Sequence, residues 1–212
     1  SIGTGGRIEK FSKDRLLLTI GHLGKKNAPQ NKSSLAGKII AINKLNKNYE
    51  LISLGHRNPQ GLFYHEEKNL VINSEHGPKG GDEININNLI SKKIPNYGWD
   101  IASYGIEYDG SKPYKTSHAE HGFVEPLKYF TPSVGISQIY VKSKNDLNEI
   151  FISSLRAGSI YKLTVDEKFQ GIISLDRIMF SQRIRDLSYD EDLNGFIILF
   201  ENIPSIGFLK SI

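Results

Sequence analysis

Cysteine is absent from the 212 residues, so neither a disulfide framework nor a thiolate-bound metal belongs to this chain. No apolar run approaches the roughly 20 residues of a membrane-spanning helix, and the first residues do not resemble a signal peptide. A strong charge of one sign is missing too: 27 Lys and Arg against 23 Asp and Glu leave +4. The lysines are scattered among Asn and Ser, without the basic stripe and interleaved aromatics of a nucleic-acid surface. Neither a nucleic-acid partner nor a membrane span is therefore expected. Helical periodicity is nearly lacking as well. The chain is long enough for one substantial core, and residues 1–212 read as a single domain.

What the sequence does contain is a series of short β-branched and aromatic runs divided by turn residues. They fall at 6–11, 16–20, 38–43 and 49–54, then at 61–65, 69–74 and 82–87, followed by an aromatic turn at 97–99. Further runs lie at 134–141, 149–153, 159–165 and 171–175, and at 185–189, 196–201 and 206–209. Roughly four strands recur every ~45–50 residues, the period of β-propeller blades. One hairpin pattern, an apolar strand running through a charged turn into a second apolar strand, is written three times, from Phe11, Tyr64 and Tyr189. On pattern alone, a β-sandwich also yields short strands at even spacing.

Polar, chemically capable residues concentrate in turn-rich segments. Gly55-His56-Arg57-Asn58-Pro59-Gln60-Gly61-Leu62 is followed by Ser74-Glu75-His76-Gly77-Pro78-Lys79-Gly80-Gly81-Asp82-Glu83-Ile84-Asn85 and then by Asn96-Tyr97-Gly98-Trp99. Such segments suit a site built from loops at strand ends. Arg183 and Arg185 are two apart, which places them on one face of a strand. Tyr97 and Trp99 read as packing residues between blades. The stretch 104–125, rich in Tyr, Gly, Ser and His, reads as a long loop over one face, where a substrate rim or partner surface would lie. His22, His65, His118 and His121 show no zinc-ligand spacing.

These segments resemble the soluble quinoprotein sugar dehydrogenases, the glucose/sorbosone or aldose-sugar dehydrogenase family that binds pyrroloquinoline quinone (PQQ) on a six-bladed propeller. The matching stretches are Gly5-Gly6-Arg7-Ile8, Gly37-Lys38-Ile39-Ile40-Ala41-Ile42-Asn43, the three segments above, Ser154-Leu155-Arg156-Ala157-Gly158, and Arg183-Ile184-Arg185-Asp186. They occur in family order across nearly the whole chain. The resemblance implies an all-β propeller of four-stranded antiparallel blades, with about four blades' worth present. The two N-terminal blades of the family are expected to be absent, and the open blade faces to be closed over or buried in a homodimer.

By the same resemblance, Arg57, Asn58, Glu75, Arg156, Arg183 and Arg185 line the cofactor pocket. Arginine suits a tricarboxylate quinone because its planar fork binds carboxylate in bidentate fashion. The backbone carbonyls of Gly77 and Pro78 hold a calcium ion, a hard cation suited to oxygen donors, with Asp82 and Glu83 adding charge behind them. The calcium polarises the carbonyl that accepts hydride. The implied reaction oxidises the anomeric carbon of an aldose, with reducing equivalents passed on to an external electron acceptor in the periplasm or outside the cell. The family's histidine base falls at Gly3, so the expected base is missing. His22 and His76 are the conceivable substitutes, and a non-catalytic binding or interaction propeller of the same descent is the alternative.

Overall fold

The computed structural model describes residues 3–91, 93–111 and 114–210. Among them are fifteen strands and two short 3-10 turns, Ala28–Gln30 and His118–His121. The chain divides after Ser133 into two compact units. In the first, β1 (Gly5–Lys10), β2 (Arg15–Ile20), β3 (Lys38–Asn43) and β4 (Tyr49–Leu54) form one sheet in chain order. A second sheet follows, made of β5 (Pro59–His65), β6 (Leu70–Glu75), β7 (Asp82–Asn88) and β8 (Lys128–Phe130). The second unit holds a sheet of β9 (Ile136–Lys144), β10 (Leu147–Ser154), β11 (Ser159–Asp166) and β12 (Ile172–Met179). It also holds a three-stranded sheet of β13 (Ile184–Asp190), β14 (Gly195–Phe200) and β15 (Ser205–Lys210). Every pairing is antiparallel between sequence neighbours, so each sheet is a meander. This is the all-β, blade-by-blade organisation read from the sequence.

Two details differ from that reading. The second blade is completed by β8, beyond the long loop, and not by the aromatic turn at 97–99. Three residues of short, half-exposed strand give too weak an alternation to be seen in sequence. The last sheet has three strands among the described residues instead of four.

Alternation explains where each core sits. Leu17, Ile39, Ala41, Ile52, Leu62 and Val71 point from the first two sheets into one buried cluster. Phe151, Ile160, Ile184, Leu187, Phe196 and Ile198 do the same in the second unit. Each fully buried aliphatic or aromatic side chain contributes about 1.5–3 kcal/mol. The repeated hairpins begin three of the sheets, and two share a closing device. Tyr64 donates its hydroxyl hydrogen to Asn69 Oδ1 at 3.0 Å, and Tyr189 does so to Asn194 Oδ1 at 2.5 Å. Both Asn residues are in the left-handed region, φ 52° and 47°, which Asn tolerates well.

Within each unit the first strands of successive sheets lie side by side, β1 with β5 and β9 with β13, as blades set around a common axis do. The pairing register shifts near the start of β1, β5 and β13, at Gly5/Ile8, Pro59/Gly61 and Ile184/Asp186. Such bulges re-aim side chains next to functional sites. Gly3, the Arg57-Asn58 pair and the Arg183/Arg185 pair thus occupy corresponding places in their sheets, at the entry to the first strand. Among the described residues no helix is long and apolar enough to cross a membrane.

Candidate functional site

The loop from β4 to β5 is held by a buried carboxylate. Glu75, at the end of β6, is 4% exposed. Its Oε1 receives His56 Nδ1 at 2.9 Å and Asn85 Nδ2 at 2.8 Å, and its Oε2 receives the Arg57 backbone N–H at 2.7 Å. A carboxylate only accepts, so His56 Nδ1 carries a hydrogen, and Ser53 Oγ completes the chain at 2.7 Å from His56 Nε2. Burial alone would raise the Glu75 carboxyl, but the charge and hydrogen bond of His56 and the backbone donors hold it below the usual carboxylate range. Gly55 at the head of the loop has φ +78°, and a Cβ there would meet Asn96 Oδ1 at 2.1 Å. Only glycine fits the position.

This frame sets the Arg57 side chain. Its Nη1 donates to the His76 carbonyl at 3.1 Å, and its guanidinium lies 5.3 Å from the ring centre of Trp99. Asn58 Oδ1 accepts from the Gly5 backbone and from Gln60 Nε2, at 3.2 and 3.0 Å, tying the entries of β1 and β5 together. The 76–82 turn curls so tightly that a Cβ on Gly77 would meet the carbonyl oxygens of Gly81 and Gly80 at 2.2 and 2.3 Å. The Gly77 N–H donates to Asp82 Oδ1 at 3.2 Å, and Ser133 Oγ lies 3.4 Å from the Pro78 carbonyl. Behind the turn, Glu83 is buried. Desolvation first, and then the charge of Glu75, push its carboxyl well above the usual range.

Two openings meet at Arg57 and Trp99. One is a crevice against Glu75, His76, Gly77, Gly81, Glu83 and Tyr97, with room for little more than a water or an ion. The other is a cavity of about 310 Å³, lined by His22, Lys26, Arg57, Trp99, Asp100 and Tyr114 among others. That volume is at the lower end of small-molecule sites. Arg57 Nε, His22 Nε2 and Asp100 Oδ1 are buried without a hydrogen-bond partner, and all three residues line the cavity. Unpaired buried polar atoms are costly, so a polar ligand that satisfies them would gain correspondingly. His22 packs edge-on against Trp99, with centroids 5.9 Å apart, and Tyr114 lies on the indole at 4.9 Å. Burial and then the Arg57 charge lower the His22 pKa, with Asp100 opposing them.

Gly3 sits against this wall. A Cβ at position 3 would meet His22 Cδ2 at 2.8 Å, the Arg57 carbonyl at 2.9 Å and Asn58 Cβ at 2.9 Å. A side chain there would require the Arg57 carbonyl and the His22 ring to shift. The second unit carries the remaining arginines. Arg183 Nε and Arg185 Nη2 both reach Glu201 Oε2, at 3.3 and 2.9 Å, so their forks share one partner on a half-exposed face. Burial would raise the Glu201 carboxyl, and the hydrogen bonds and charges of Arg185 and Arg183 carry it below its usual value. Arg156 is exposed in the turn after β10, which packs through Gly158 against Ser181 and Gln182.

The structure therefore brings Gly3, His22, Arg57, Asn58, Glu75, His76, Gly77, Pro78, Asp82 and Glu83 into one region of the first unit, and pairs Arg183 with Arg185 in the second. Glu75 is committed to three protein donors, and Tyr97 packs in the core with its hydroxyl donating to the Ile86 carbonyl at 2.9 Å. Trp99 is a cavity wall and not only a packing residue. The long loop supplies Glu107, Tyr108 and Tyr114 to the same cavity. His56, Ser53 and Asp100 were missed as members of the site, and for His56 the signal was present, in the same turn as Arg57. The oxygens of Gly77, Pro78, Asp82 and Glu83 are hard donors of the kind calcium takes. Among the described residues no three His, Cys, Asp or Glu side chains converge on a metal position, so any ion here would depend on backbone carbonyls.

The glucose/sorbosone dehydrogenase family model matches residues 2–205. Aldose sugar dehydrogenase YliI of Escherichia coli is 30% identical over 227 residues, covering 97% of this chain and 59% of that protein. Quinoprotein glucose dehydrogenase B of Acinetobacter calcoaceticus is 24% identical over 213 residues, covering 74% of this chain and 44% of its own length. A glucose dehydrogenase crystal structure superposes with a TM-score of 0.81 at 26% identity, over 98% of this chain and 64% of that one. The chain thus spans less than two thirds of the length of each of these relatives.

Proposed function

The chain belongs to the glucose/sorbosone dehydrogenase family, and from that premise we propose that it carries a PQQ and sugar site of the quinoprotein type. The observation that carries this reading is the cavity of about 310 Å³ whose lining residues include three with unpaired buried polar atoms, Arg57, His22 and Asp100. When bound, the quinone supplies a two-electron acceptor for the anomeric carbon of an aldose. Arg57 would hold a cofactor carboxylate, fixed by the Glu75 frame and backed by the Trp99 face. Asn58 would add an amide beside it. The Gly77 and Pro78 carbonyls would hold calcium, with Asp82 and Glu83 supplying negative charge behind them. Reducing equivalents would pass to an external acceptor, in the periplasm or outside the cell.

A second reading is favoured by Gly3, which stands where the family's base is expected and where a Cβ would crowd the Arg57 carbonyl and His22. It is a propeller that retains ligand binding without turnover. The two are separated by loading the purified chain with PQQ and calcium and following dye reduction with a panel of aldoses, in the wild type and in the Arg57→Ala variant. Sugar-dependent reduction that falls at least tenfold in the variant supports the dehydrogenase. Binding without reduction by any aldose supports the second reading. Absence of PQQ binding refutes the dehydrogenase and leaves the non-catalytic interaction propeller.

A further inference from the structure

We infer that His22 is the proton acceptor of this cavity, with Nε2 as the accepting atom for a substrate hydroxyl. The inference rests on the sugar-site reading above and goes beyond it by assigning a base. Three observations on the imidazole carry it. Nε2 is buried without a partner while the ring lines the cavity beside Arg57, Lys26, Asp100, Glu107, Tyr108 and Tyr114. The ring is also fixed, by the His22 backbone N–H donating to the Arg57 carbonyl at 2.8 Å and by edge-on packing against Trp99. Finally, His22 Cδ2 stands 2.8 Å from where a side chain at position 3 would begin. The imidazole thus occupies the space that position 3 would otherwise fill.

His76, the other candidate, lines the narrow crevice, whose free space is far too small for a sugar. The charges facing His22 are Arg57, which lowers its pKa along with burial, and Asp100, which raises it. The imidazole is consequently neutral near pH 7 and able to accept a proton. In the step assigned to it, the anomeric O–H proton goes to His22 Nε2. A bound ortho-quinone would supply the two-electron acceptor for the C1 hydrogen and its electron pair, so that C1–O would become the lactone carbonyl. Asp100, whose charge raises the His22 pKa, would favour the protonated imidazole.

The test compares wild type with His22→Gln and His76→Gln in the full chain. Three quantities are read: PQQ binding by Trp99 fluorescence, sugar-dependent cofactor reduction against pH, and the His22 imidazole resonances during titration with an aldose alone. General-base loss is expected to slow reduction by about 10²–10⁴-fold in His22→Gln, a loss in kcat at least tenfold larger than any loss of PQQ affinity and at least tenfold larger than the loss in His76→Gln. The acid limb of the wild-type rate profile should fall at the pKa measured for His22 by NMR. Reduction in His22→Gln within threefold of wild type overturns the inference, as does wild-type binding of PQQ without reduction by any aldose. If PQQ does not bind at all, the sugar-dehydrogenase reading fails separately. In that case the aldose titration decides, and unchanged His22 resonances overturn the assignment.

Discussion

Replacing Glu75 tests whether the site rests on one buried carboxylate. The side chain is 4% exposed and receives His56 Nδ1, Asn85 Nδ2 and the Arg57 N–H between 2.7 and 2.9 Å. Glu75→Ala leaves all three donors buried without an acceptor and removes one partner of a buried ion-pair geometry, a class of change that costs about 3–5 kcal/mol. Glu75→Gln keeps the shape but has one oxygen and one amide NH₂, so one of the donor positions faces another donor, at about 1–3 kcal/mol. Urea unfolding followed by fluorescence is the assay, because Trp99 is the sole tryptophan and lies in the first unit. With a urea slope of about 1–3 kcal/mol per molar, Glu75→Ala should lower the midpoint by at least ~1 M. The Glu75 carboxyl is held below its ordinary value, so its contribution is present above the unfolded pKa and is lost as pH falls through the folded one. The difference between wild type and Glu75→Gln should therefore narrow in acid. A Glu75→Ala midpoint indistinguishable from wild type at neutral pH would refute the reasoning.

Two further perturbations act outside this network. Lys38 is fully buried, and its Nζ donates to the carbonyls of Ala28, Pro29 and Ala36 at 3.0, 2.8 and 2.8 Å, so Lys38→Met should cost about 3 kcal/mol by thermal or urea unfolding. Burial lowers the pKa of His22, His65 and His118. The unfolded chain then binds more protons than the native one, so stability is full above about pH 6.5 and falls as pH drops below it. Glu83, raised by burial, acts in the opposite sense, adding stability in acid that is lost as pH rises from its unfolded value through its folded one. Unfolding between pH 5 and 7 should show a shallower decline in His118→Gln than in wild type.

The blades were legible because alternation and turn residues act locally. The hairpins from Phe11, Tyr64 and Tyr189 each carry an apolar run, a charged turn and a second apolar run, and each begins a sheet. β8 was not legible, since three residues give too little alternation and the strand finds its partner only after the long loop. The motifs marked Arg57, Asn58 and Glu75 as members of polar turns. They did not distinguish an arginine that faces a cavity from a glutamate that holds the frame, because that depends on partners 10 to 19 positions away, such as Asn85 and His56. The crowding at Gly3 was equally invisible, for His22 and Asn58 reach it only through pairing between strands. The cavity itself draws on the β2–β3 loop, Arg57 and the long loop, three segments that no local pattern connects.

Titration of the purified chain with PQQ, with and without calcium, followed by Trp99 fluorescence, tests the central claim most directly. The account predicts saturable quenching at one equivalent that weakens when calcium is removed and in Arg57→Ala. Fluorescence that does not change, or that changes equally in wild type and Arg57→Ala, would contradict a cofactor site at Arg57 and Trp99.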